Sequence, residues 1–169
     1  QLLDLRELVI NTTFNPQVAP EIRIAALRST SHFPEIAEHR LDDLAALSAA
    51  PDEEGIRHAA LDTLTAMNPG RAAQIAAKAL IAAGPDEPLE PYLIPFLTRA
   101  DGALALASSL QKSELSLRLR DRIRGALGAA GLHSTHLEKA LNPPYVESPS
   151  AVGLPVYSQQ WIDSLAAEV

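Results

Sequence analysis

The sequence predicts an all-α chain built as an α-solenoid of about four helical hairpins, and three observations predict it. A hexapeptide occurs twice: Ile22-Arg23-Ile24-Ala25-Ala26-Leu27 returns as Ile56-Arg57-His58-Ala59-Ala60-Leu61, identical at five of six positions. A period of roughly 20–50 residues, into which this offset falls, marks an array in which each supersecondary unit hides its apolar face against the next. Hydrophobic residues make up 47% of the chain but aromatics only 4%, so the apolar content is mostly Ala and Leu, which favour close-packed helices over sheets. Apolar residues also recur at helical spacing between breaks made by Pro, Gly and Asn.

Taken in order, Leu2, Leu3, Leu5, Leu8, Val9 and Ile10 form the stripe of a first helix, which Asn11 to Asn15 and Pro16 bring to an end. Pro20 opens a second helix at a position where its missing N–H is harmless, with Ile22, Ala25, Ala26 and Leu27 directed inward. Pro34 begins a third, carrying Ile36, Ala37, Leu41, Leu44, Ala45 and Leu47 or Ser48, and Pro51 stops it because the residue before a proline is pushed out of the helical region. Asp52, Glu53 and Glu54 place carboxylates in the first turn of a fourth, where they complement the helix dipole.

The fourth helix holds the second hexapeptide and runs to about Met67. Asn68-Pro69 is a cap followed by a first-turn proline for a fifth helix, Ala72 to Ala83, closed by Gly84 and Pro85. Pro91 and Pro95 predict that the sixth, within Leu89 to Leu97, is short or kinked. Asp101 caps a seventh with Leu104, Leu106 and Leu110. Ser113-Glu114 opens an eighth with the stripe Leu115, Leu119, Ile123 and Leu127, ended by Gly128 and Gly131. Ser134 caps a ninth with Leu137 and Leu141, which serves as a capping helix for the array. Ile22, Ile56, Glu90 and Ile123 stand at nearly equal intervals along the chain, with the apolar pattern lost only in the third copy.

After Asn142 the character changes. The solenoid is expected over residues 1–142, a Pro-rich linker or strap over 143–157, and a short C-terminal helix with Trp161, Ile162 and Leu165 over 158–169, the last two making an extended tail. The chain begins at Gln1 and reads as a piece of a longer product.

A net charge of -7 argues against nucleic acid as the default partner, because phosphate neutralisation needs a basic surface. The absence of cysteine excludes a disulfide framework and a thiolate metal site within these residues. No apolar run approaches the ~18 residues of a membrane span. No cofactor is indicated.

Pro20-x-Ile22-Arg23-x-Ala25-Ala26-Leu27 and Asp52-x-x-x-Ile56-Arg57-x-Ala59-Ala60-Leu61-x-x-Leu64 resemble HEAT repeats: an acidic turn, an apolar-Arg pair, then small residues and leucine on the second helix. The resemblance implies a right-handed superhelix and a ladder of arginines bonded to acidic groups in turns. Arg57 with Asp52 matches that pattern; Arg23 takes the same place, although Val18 and not an aspartate stands five positions before it. A narrower stretch is similar to the HEAT-like region of large haem-binding proteins of planctomycetes and verrucomicrobia. It comprises Phe96-Leu97-x-Arg99-x-Asp101-Gly102-Ala103-x-Ala105-Leu106-Ala107, then Leu117-Arg118-Leu119-Arg120 through Gly131 to Leu137-x-x-Ala140-Leu141. That likeness implies an exported segment between a propeller dehydrogenase-like domain and a cytochrome c domain.

The candidate sites are few. His133-x-x-His136 offers two ligands where a metal needs more, and surface or capping roles fit it better. Glu35, Glu38 and His39 share a solvated helix face more readily than a cleft for acid–base work. Arg118, Arg120, Arg122 and Arg124 form the one basic cluster. Steps of two residues send alternate side chains to opposite flanks of the Leu115/Ile123 stripe, where salt bridging is the plain account and docking to an acidic partner the functional one. Arg28, Asp62 and Arg120 are further contact candidates on the second, fourth and eighth helices. The expectation is a non-catalytic interaction or spacer module whose partner is a protein or a neighbouring domain; the alternative is the HEAT-like segment of an exported redox enzyme.

Overall fold

The computed structural model describes residues 2–33, 40–50, 53–99 and 101–142. Asp52, the trio Glu35, Glu38 and His39, and everything expected of the linker, the final helix and Trp161 lie outside them. The described residues form nine α-helices and no strand: α1 Leu2–Phe14, α2 Pro20–Thr30, α3 Leu41–Ala49, α4 Glu54–Met67, α5 Pro69–Ala82, α6 Glu90–Leu97, α7 Gly102–Gln111, α8 Leu117–Ala129 and α9 Thr135–Leu141.

Local chemistry sets many of these boundaries. Asn68 caps α5 as expected, its side-chain oxygen accepting the N–H of Arg71, and Pro69 fills the first turn. Ser134 caps α9 in the same way through the N–H of Leu137. Gly131, at φ 65°, closes α8: its N–H reaches the Gly128 carbonyl while Leu132 N–H reaches that of Leu127, the double bond of a Schellman motif.

The third helix, expected from Pro34, starts only at Leu41 within the described residues, two other boundaries differ from expectation, and one that agrees has another cause. Helix α1 continues through Asn11-Thr12-Thr13 to Phe14, with the Thr13 hydroxyl bonded back to the Val9 carbonyl, and ends where the Asn15 side chain accepts the Gln17 N–H in a turn. Helix α8 begins at Leu117 rather than near Ser113, because Ser116 supplies the cap by accepting the Leu119 N–H. Asp101 stands at the start of α7 but its side chain makes no capping bond. What fixes that start is Gly102, where an added Cβ would come within 2.8 Å of Phe96 Cα. Only glycine lets α7 approach α6 that closely.

The helices contact one another in two rows. Helix α2 packs on α4, α4 on α6 and, more lightly, α6 on α8; in the other row α3 packs on α5, α5 on α7 and α7 on α9. Between the rows α1 packs on α2, α3 on α4, and α4 through α6 each on the next. One continuous core runs through this arrangement, with Leu27, Leu44, Leu64, Leu80, Phe96, Leu106, Ile123 and Leu137 inaccessible to solvent. Burying one such side chain contributes about 2 kcal/mol. Alanines on α5, at 72, 73, 76 and 77, supply the small surface that lets it sit among α3, α4, α6 and α7.

The burial pattern revises the repeat. On α4 the buried residues Ile56, Ala59, Ala60 and Thr63 have buried counterparts in the next repeat at Leu89, Tyr92, Leu93 and Phe96, with the same spacing among them. The third copy therefore keeps the inward pattern, one position earlier than the expected Glu90 and with aromatic rings in place of two small side chains. The first copy departs instead: Ile22 is 56% exposed where Ile56 is 2% exposed, and Arg23 is buried. Leu5 and Leu8, expected inside, are exposed as well.

Candidate functional site

Among the described residues the arginines of the hexapeptides face acidic groups of the following turn, and the expected pairing of Arg57 with Asp52 falls outside those residues. Arg23 Nη1 donates to Glu53 Oε2 at 2.8 Å and its Nε donates to the Thr13 carbonyl at 3.2 Å. Arg57 points at Glu87, which follows Glu53 by the same interval as Arg57 follows Arg23, yet its Nη2 stops 3.8 Å from Glu87 Oε1. Its Nε is buried with no hydrogen-bond partner. The same ladder position is closed in one repeat and loose in the next.

The cause lies on Glu87. Tyr92 Oη donates to Glu87 Oε1 at 2.8 Å and the Gly84 N–H donates to Oε2 at 3.3 Å, so both carboxylate oxygens are already tethered. Glu53 carries no such tether among the described residues and is drawn onto Arg23. The loop from Gly84 to Glu87 is short and turned, with Glu87 N–H bonded to the Gly84 carbonyl, which brings the side chain back over its own start. Arg122 of α8 fixes the same loop by donating to the Glu87 carbonyl at 2.9 Å.

Aromatic contacts complete the group. The Arg57 guanidinium lies 5.6 Å from the Tyr92 ring centre, and the His58 ring meets Tyr92 edge-on, centroids 5.3 Å apart at 87°. Burial, reinforced by the hydrogen bond to Glu87, pushes the Tyr92 hydroxyl up to about 12. Tyr92's hydrogen bond holds Glu87 below the ordinary carboxylate value, with Gly84 and Arg57 adding to the effect. Burial first, and the Arg57 charge second, lower His58, so the neutral ring is favoured. Its Nε2 is buried without a partner.

A cleft of about 410 Å³ opens beside this group. Ser48 and Ala49 of α3 form one side, Ile75, Lys78, Ala79 and Ala82 of α5 the other, and Arg57, Glu87 and Tyr92 its polar end. Ser48 has its hydroxyl bonded to the Leu44 and Ala45 carbonyls. What this arrangement can do is hold an anion against apolar walls. It presents a protonated phenol held on a tethered carboxylate, with two cations beside them.

No family model, no curated protein and no solved structure matches this chain. Of the basic cluster, Arg118 is exposed and lines a second cleft of about 420 Å³ with Ile81, Glu114 and Arg122. Arg120 is partly buried, its Nε without a hydrogen-bond partner. Arg124 braces α8 against the end of α9, donating to Asp121, the Leu141 carbonyl and the Asn142 side chain. Arg28 is exposed, whereas Asp62 is paired with Arg99 at 2.9 Å. His133 and His136 are partly or fully exposed, and among the described residues no three His, Asp or Glu side chains gather to hold a metal ion. No described helix is long and apolar enough to cross a membrane.

Glu87, Tyr92 and His58 were not singled out in the sequence. Glu87 had a signal, since the interval between the two hexapeptides carries the carboxylates of the turn at Glu53 and Glu54 onto the turn at Glu87. Tyr92 had none, because the third copy is displaced by one position.

Proposed function

We propose that this chain is a non-catalytic protein-interaction or spacer module, an α-solenoid of HEAT-like repeats whose partner is another protein or a neighbouring domain. The observation that carries this reading is an unmatched face. On α4, Ile56 and Ala59 are buried and the Thr63 hydroxyl donates to the Leu27 carbonyl of α2 at 3.0 Å. The same face on α2, made by Ile22, Ala25 and Ser29, has Ile22 and Ala25 exposed, and the Ser29 hydroxyl bonds only within its own helix, to the Ala25 carbonyl. A surface used for stacking in one repeat and open in the other is a natural seat for a neighbouring element. Leu5 and Leu8 of α1 add exposed apolar surface to the same hairpin.

Native and denaturing mass spectrometry of the protein from its own source test this. A denatured mass above 18.1 kDa identifies a covalently attached neighbour, and a native mass above the denatured one identifies a bound partner. Ile22→Asp is then expected to release the partner or to loosen the neighbouring domain in limited proteolysis. A native mass equal to a denatured mass of 18.1 kDa removes both readings.

A further inference from the structure

We propose that the cleft beside Arg57 takes an acidic side chain of a partner protein, an aspartate or glutamate flanked by an aliphatic residue. The inference rests on the reading of the chain as an interaction module and names the chemistry that one of its surfaces selects.

Arg57 is the reason. Its counterpart Arg23 makes two hydrogen bonds, one to a carboxylate and one to a main-chain carbonyl. Among the described residues Arg57 has its nearest carboxylate oxygen at 3.8 Å, beyond hydrogen-bond length, and its buried Nε has no acceptor. Both oxygens of Glu87 are held in place, one by Tyr92 and the other by Gly84. Arg57 lines the cleft beside the Tyr92 ring, and no described residue accepts a hydrogen bond from its guanidinium.

The rest of the cleft selects what fills that capacity. Lys78 brings a second cation to the wall and makes no ion pair within the described residues. Two cations against one tethered carboxylate favour an incoming anion, and a carboxylate can take the planar guanidinium through two parallel bonds. Ile75, Ala79 and Ala82 offer alkyl surface beside it, where an aliphatic neighbour of the acidic residue would lie. The volume of about 410 Å³ admits two side chains but not a domain.

Openness decides between a peptide and a free aliphatic acid. Ala49, Lys78 and Ala82 are exposed, so the cleft is a trough along the surface. A free alkyl chain needs its length enclosed and would remain half in water here, whereas a peptide keeps its main chain solvated over such a rim.

The test is an amide-resolved NMR titration of the whole chain with acetyl-Leu-Glu-Leu-amide, its Leu-Gln-Leu counterpart and sodium octanoate. The glutamate peptide is expected to give saturable shifts centred on Arg57, Lys78 and Ala79, and Arg57→Gln to weaken it by about tenfold, the cost of one charged hydrogen-bonded contact. Lys78→Gln, at an exposed position where folding is not at risk, is expected to weaken it by a smaller factor. Equal binding of the glutamine peptide, an unchanged titration in either folded variant, or octanoate binding as tightly as the peptide overturns the proposal. None of these outcomes touches the mass measurement above, so the interaction module can stand while this cleft falls.

Discussion

The two copies of the hexapeptide, Ile22 to Leu27 and Ile56 to Leu61, are nearly identical in sequence and differ in what surrounds them. In the first, the isoleucine is exposed and the arginine is buried and doubly bonded; in the second, the isoleucine is buried and the arginine is loosely held at the edge of a cleft. Among the described helices, α4 has both α2 and α6 beside it in its row, and α2 packs in that row on α4 alone. Arg23 meets an untethered glutamate, and Arg57 meets one already held by a tyrosine and a backbone amide. A repeated sequence thus specifies a repeated helix, while its neighbours assign each side chain its work.

The largest test of this contrast is alanine at the two isoleucines. Ile56→Ala is expected to cost about 3 kcal/mol through lost burial and the cavity left behind, and Ile22→Ala no more than about 0.5 kcal/mol. Urea denaturation of both variants checks it, and equal losses would erase the distinction between the two copies. Next come the arginines. Arg23→Met leaves the Thr13 carbonyl and Glu53 unpaired and is expected to cost about 2 kcal/mol; Arg57→Met, which breaks a long contact to a partly exposed carboxylate and the cation–π contact with Tyr92, should cost about 1 kcal/mol.

Tyr92→Phe sharpens the comparison further. Loss of its hydroxyl bond is expected to cost about 1 kcal/mol, but it releases one oxygen of Glu87, which can then turn onto Arg57 as Glu53 does onto Arg23. A double-mutant cycle between Arg57 and Glu87 should accordingly show stronger coupling in the Tyr92→Phe background than in the wild type. Unchanged coupling would mean that the tether does not hold the rung open.

The two copies also differ in what they make pH-dependent. His58 is lowered from 6.5, so its contribution to stability is present above pH 6.5 and lost as the pH falls through its depressed folded value. Tyr92 is raised from 10.0 to about 12, so its contribution is present below pH 10 and lost as the pH rises toward 12. Thermal melts across both windows should show these losses, the acid one absent in His58→Gln and the alkaline one absent in Tyr92→Phe.

Much of the helix plan was legible in the sequence. Asn68, Ser134, Gly131 and the prolines at 20 and 69 act on backbone groups within a few residues, and each stands where its chemistry placed it. The stripe Leu115, Leu119, Ile123 and Leu127 is buried as its spacing indicates. The start of α7 was not legible for the reason assigned to it. Asp101 is a good cap by type, but the position is set by the contact of Gly102 with Phe96, a neighbour that sequence spacing does not identify.

By itself, then, the sequence determined that the described residues are all-helical where they are regular, and that a hexapeptide recurs with its arginine at the same place, because hydrogen bonding and periodicity within a helix are local. Tertiary structure alone decided that Arg23 pairs with the turn that follows, that Ile22 is open where Ile56 is closed, and that Glu87 is bonded to Tyr92 rather than to Arg57. Those are relations between segments distant along the chain, and burial and ion pairing depend on which segment lies alongside.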